Sequence, residues 1–233
     1  LTGCAKTEQT EPQNTKPPYD ETAEAAATSE TEAPQPPSVT ISMVGDVLLH
    51  ETVSDSGRME DGSYRYDHLF QNIQDEIARA DISIVNQEVI LGGRELGLSG
   101  YPNFNGAFEV GDSLVHAGFD VVLHATNHAL DKKEAGVRSC LNFWKTSYPH
   151  MAVLGIYESA AARDTVYVRE VNGIRIAILN YTYGTNGMTL PSGSPYAINL
   201  LEETTVRSDI ARARETADFV IVAPHWGTEY KLT

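Results

Sequence analysis

Cysteine and clustered positive charge are nearly missing from this 233-residue chain. Its two cysteines, Cys4 and Cys140, sit in contexts too different to pair, so no disulfide framework replaces a hydrophobic core. Lys and Arg number 17 against 32 Asp and Glu, giving a net charge of −15 and a pI near 4.8. Nothing basic is grouped to neutralise phosphates, which excludes a general nucleic-acid binder. No apolar run approaches the roughly 18 residues that a membrane-spanning helix needs. There is no internal repeat, and Gly92-Gly93-Arg94 lacks the Lys-Ser/Thr pair of a phosphate-binding P-loop. What is present, at 41% hydrophobic residues, suffices for one sizeable globular domain.

The chain opens on Leu1-Thr2-Gly3-Cys4, with no initiator Met. These residues match the end of a bacterial lipoprotein signal, whose cysteine becomes the acylated N-terminus. Residues 5–38 follow with six of the eleven prolines and seven carboxylates against Lys6 and Lys16, a local charge of −5. Too few apolar side chains are there to offset ordering entropy, so the segment is expected to be an unfolded tether, on the order of 100 Å when extended. The expected organisation is a lipidated Cys4 within residues 1–4, the tether over 5–38, and one domain over 39–233. Together these place the protein outside the cytoplasm, lipid-anchored to a bacterial membrane.

From Ser38 strands alternate with helices. Apolar runs at 39–44, 82–86, 119–123 and 219–222 read as buried strands. Helical spacing is expected over 66–79, 111–117, 132–147 and 202–216. Residues 89–109, rich in glycine, read as a long surface loop. Asn172-Gly173 between two alternating runs is a hairpin turn, so antiparallel pairing enters among βαβ units and predicts mixed or paired sheets.

Each of the four strands ends in polar chemistry: Asp46 with His50 after the first, Glu88 after the second, Asn127-His128 after the third and His225 after the last. An open α/β sheet keeps its ligands beyond the carboxyl ends of its strands. Carboxylate, amide and imidazole donors suit Mn²⁺, Fe or Zn²⁺ and do not suit a soft thiolate site. A pair of such ions needs a bridging carboxylate, and Asp46 is placed for that; His128, beside Asn127, is placed as a general acid. His50 is a candidate ligand or a donor to one, and Glu229 and Tyr230 are candidates for touching substrate. Each residue also has a plain structural role open to it: Asp46 as a cap, Asn127 in a left-handed turn, His225 packed beside Trp226. His124 reads as a core residue, and His68, His116 and His150 as structural.

Five ordered blocks, at 44–50, 80–88, 117–122, 126–131 and 225–230, resemble the CapA (PgsA) family of poly-γ-glutamate capsule-synthesis proteins. That family is similar to the calcineurin-like metallophosphoesterases. The resemblance implies an α/β, four-layer αββα sandwich with mixed sheets and a di-metal centre. It carries Asp46 onto the first metal aspartate, Glu88 onto a position usually held by aspartate, Asn127-His128 onto an Asn-His pair, and His225 onto a metal histidine. Thr126 stands where an asparagine is often seen. It also implies a later His-containing segment that these 233 residues do not include, so the sequence is expected to be a piece of a longer protein. The expected function is a membrane-tethered, metal-dependent hydrolase of capsule synthesis, with anionic polymer and membrane synthase subunits as partners. The alternative is a non-catalytic, polymer-binding accessory subunit of a synthase–exporter complex.

Overall fold

In the computed structural model, which describes residues 36–228 and Lys231, the apolar runs build two facing sheets. Cys4, the tether up to residue 35, Glu229 and Tyr230 lie outside the described residues. The first sheet takes β1 (Ile41–Asp46), β2 (Ile82–Asn86), β3 (Val121–Leu123) and β4 (Ala152–Leu154) in that order, all parallel. The second takes β5 (Val168–Val171), β6 (Ile174–Thr182) and β7 (Phe219–His225). Its first pair is antiparallel, joined by the expected Asn172-Gly173 turn with positive φ at both residues, and its second pair is parallel. The expectation of mixed sheets therefore holds for the second sheet only. Crossovers through helices or long segments link the strands of the first, and these enforce parallel pairing.

Alternation along the strands sets the layers. Ile82 and Ile84 of β2 and Val121 and Leu123 of β3 meet Ile176 and Ile178 of β6 between the sheets. Val85 and Val122 face the other way, into a core with α3 (Phe108–Ala117) and α4 (Lys133–Ser147). On the far side of the second sheet, Leu179 and Tyr181 pack on α5 (Glu203–Thr216). The order is helix, sheet, sheet, helix: the αββα sandwich. Within the last layer the buried Asp209 is met by Arg163, Arg212 and the Tyr181 hydroxyl, so its charge is compensated where water is excluded.

Two local expectations are corrected, and one helix is added. The helix over 66–79 is broken: a 3₁₀ turn at Asp67–Leu69 precedes α2 (Gln74–Arg79). Tyr66 is tied elsewhere, to Ser54 and Ser113, and Phe70 turns in against Phe119. A helix α1 at Glu51–Ser56 carried no periodic signal because it buries no residue. The 89–109 segment is not a surface loop at either end, since Val89–Gly93 and Phe104–Ala107 are buried. One side chain takes up three of its backbone groups: Asn105 Oδ1 accepts from the Gly92 N–H, and Asn105 Nδ2 donates to the carbonyls of Gly93 and Gly97.

Candidate metal centre

β1 and β2 run side by side, and their carboxyl ends deliver Asp46 and, two residues past Asn86, Glu88. β7 runs three residues beyond its expected end at Val222 and finishes on His225. Pro224 does not stop it because β7 is an edge strand among the described residues, where a missing N–H costs no ladder bond on the open side. Asp46, Glu88 and His225 each offer one ligand atom, and these atoms all lie within 4.8 Å of one another. Asn127 joins them: His225 Nε2 donates to Asn127 Oδ1 at 2.8 Å. The four strand ends expected to converge do converge.

His225 presents Nδ1 to Asp46 Oδ1 at 3.4 Å and lies 3.9 Å from Glu88 Oε1 through Nε2. The hydrogen bond from His225, then that from Asn86 and the imidazolium charge, hold Asp46 below the usual carboxylate range against the opposing effect of burial. Burial works against protonation of His225, but the hydrogen bond and charge of Asp46, with the charge of Glu88, outweigh it and raise its pKa. The acidic partners thus favour a proton on His225, beside the place a cation would sit. Asn86 Nδ2 donates to Asp46, while Asn86 Oδ1 is buried without a hydrogen-bond partner. Two carboxylates, an imidazole, an amide oxygen and an adjoining unsatisfied acceptor fit a borderline divalent cation.

His128 is buried beside this cluster, with Nε2 3.9 Å from Glu88 Oε1. Its Nδ1–H donates to Asp131 Oδ2 at 2.7 Å, and that same oxygen accepts the Phe104 N–H. Asp131 therefore fixes the tautomer that leaves Nε2 facing the site. The sequence reading assigned no role to Asp131, although a carboxylate three residues after a histidine in a turn was visible. His50 is not brought into the cluster. It packs edge-on against Phe104, whose ring lies against His128, so its contact with the site runs through an aromatic ring. His124 is a core residue as expected: burial drops its pKa to about 3, and Trp144 Nε1 donates to its Nε2.

Two further side chains hold the strand ends together across long sequence separations. Thr126 Oγ1 donates to the Glu88 carbonyl, binding the loops after β2 and β3 to each other. Asn180, in β6, accepts the Ala125 N–H and donates to the Ala223 carbonyl, which fixes the Asn127 loop beside the His225 strand. The site opens into a cleft of about 590 Å³ with Tyr101, Tyr183 and Trp226 exposed on its rim.

Residues 40–233 match the family model described as "Bacterial capsule synthesis protein PGA_cap". The chain is similar to "Capsule biosynthesis protein CapA" of Bacillus anthracis, at 24% identity over 82% of this chain and 47% of that protein. It is also similar to "PGA biosynthesis protein CapA" of Bacillus subtilis strain 168, at 29% identity over 48% of this chain and 29% of that one. The chain thus spans half or less of the length of these curated relatives. A Staphylococcus aureus structure provisionally described as a 5'-nucleotidase, in complex with alpha-ketoglutarate, aligns over 82% of this chain and 38% of its own, at a TM-score of 0.41 and 15% identity.

Proposed function

The chain belongs to the bacterial capsule synthesis protein family, and from that membership we propose that it acts in producing a poly-γ-glutamate capsule as a divalent-metal-dependent hydrolase, held outside the cytoplasm by a lipid on Cys4. Asp46, Glu88, Asn127 and His225 would hold one or two ions of Mn²⁺, Fe or Zn²⁺, with Asp46 placed to bridge a pair. Such ions, when bound, polarise the bond to be cleaved and activate water. The remaining work falls to the chain itself. With both ring nitrogens protonated, His128 would give the Nε2 proton to the leaving group, while Asp131, accepting from Nδ1–H, keeps the ring oriented for it. Rim residues Tyr101, Tyr183 and Trp226 offer flat faces to the groups flanking the reacting bond, a phosphoester or a γ-glutamyl amide.

The single observation that carries this reading is the convergence of Asp46, Glu88 and His225 within 4.8 Å from strands far apart in sequence. The test is metal content and capsule formation measured together on the full-length protein. Asp46→Asn and His225→Ala are each expected to lose bound metal and capsule in parallel. A second reading, the accessory polymer-binding subunit of a membrane synthase–exporter complex, is favoured by one feature: His225 pairs with both Asp46 and Asn127. Metal-free variants that still make normal capsule would favour it and overturn catalysis.

A further inference from the structure

We propose that Asn186 is a positioning residue that turns the oxygen of the Asn127 amide toward the metal centre. The inference rests on the metal-binding reading above and goes beyond it, because Asn186 is 59 residues away in sequence and on a segment with no ligand of its own. Thr185-Asn186-Gly187-Met188 is a tight turn closed by the Met188 N–H on the Thr185 carbonyl at 2.9 Å. Both central residues have positive φ, 51° for Asn186 and 77° for Gly187. Asn-Gly is the dipeptide that such a turn selects, since asparagine tolerates the left-handed region far better than other side-chain-bearing residues. The turn delivers the Asn186 side chain to the cleft, where its Oδ1 accepts a hydrogen bond from Asn127 Nδ2 at 3.1 Å.

An amide has two chemically opposite ends, and only the oxygen can bind a cation. In the structure two partners set which end faces inward: His225 Nε2–H at Asn127 Oδ1, and Asn186 Oδ1 at Asn127 Nδ2. A nitrogen that ligates a metal no longer carries the proton it donates. Once His225 Nε2 serves as a ligand, Asn186 is the remaining described side chain bonded to the Asn127 amide. The other Asn186 contact, Nδ2 at 3.4 Å from His128 Nδ1, is not a competing bond, because that nitrogen already gives its proton to Asp131. Outer partners of this kind typically change metal affinity 10- to 100-fold when removed.

The test uses Mn²⁺ alone, titrated calorimetrically into the full-length protein. Asn186→Gly keeps the left-handed turn and deletes only the side chain; it is expected to weaken Mn²⁺ binding about tenfold with the melting temperature unchanged. The decisive arm is the same substitution in an Asn127→Asp background. A carboxylate presents oxygen whichever way it turns, so there Asn186→Gly is expected to cost less than twofold. An equal loss in both backgrounds would mark a general structural effect and overturn the inference, as would no loss in either. A wild-type protein that binds no Mn²⁺ would sink the metal-binding reading and this inference with it.

Discussion

At the scale of single residues, the centre is a competition between a proton and a cation for the same space. His225, raised, is protonated at a higher pH than a free imidazole, and Asp46, lowered, stays ionised to a more acidic one. The signs follow. The stability that His225 contributes to the metal-free fold is full below its ordinary value of 6.5 and is lost as pH rises through its raised pKa. That of Asp46 is present above its ordinary 3.8 and is lost as pH falls through its lowered pKa. Between these limits the pair competes best with metal. Binding must expel the His225 proton, so Mn²⁺ affinity is expected to fall about tenfold per pH unit once pH drops below that raised value. Calorimetry in buffers of different ionisation enthalpy counts the protons released; one proton per ion is expected at pH 6, and none in His225→Ala if residual binding is measurable.

At the scale of elements, the ligands converge because strand ends are fastened to one another, and one glycine is central to the fastening. Gly155, just after β4, has φ +92°, and a Cβ there would stand 2.2 Å from Asn180 Oδ1 and 2.4 Å from the Ala125 backbone nitrogen. Those are the two atoms of the hydrogen bond that sets the Asn127 loop against the second sheet. Gly155→Ala is therefore expected to cost about 2–4 kcal/mol, from overpacking plus a left-handed side chain, and roughly 4–16 °C in melting temperature. Mn²⁺ affinity should fall beyond what destabilisation explains, because the displaced loop carries Asn127. Gly187→Ala, in the exposed turn, shares the positive φ but meets no atom within 4 Å, and so serves as the control for conformational strain alone. The same fastening shows what the sequence could and could not disclose. Strands, helices and polar strand ends were legible because period and apolar runs are local. The hairpin was legible because Asn172-Gly173 is a local signature, and Asn186-Gly187 carried the same signature without being read. Asn180, Thr126 and the Asn186 side chain act over separations of 38 to 59 residues. No spacing rule reaches that far, and a buried asparagine inside an apolar strand looks, in sequence, like any interruption. The 89–109 segment misled for a related reason: its glycines signalled a loop, but its Val89-Ile90-Leu91 run belonged to the core.

At the scale of the whole molecule, charge bears on how the proposed membrane anchoring would work. The 233 residues carry −15, of which −5 falls in the 5–38 segment, leaving −10 on residues 39–233. Bacterial membrane surfaces are rich in anionic lipid, and juxtamembrane basic residues contribute about 1 kcal/mol each to adhesion where they exist; an acidic chain gains nothing of that kind and is repelled within a Debye length. No helix among the described residues is long and apolar enough to cross a bilayer. The proposed lipid on Cys4 would then supply affinity that these 233 residues do not, which more than one acyl chain can do and one chain does only marginally. Cys4→Ser in the full-length protein is expected to move essentially all of it from the membrane to the soluble fraction, at low salt as well as high, because there is no electrostatic attraction for salt to screen. Retention of Cys4→Ser at the membrane through a high-salt wash would mean that a different part of the longer protein is the anchor. Release only at high salt would mean that a basic surface outside these 233 residues outweighs their charge.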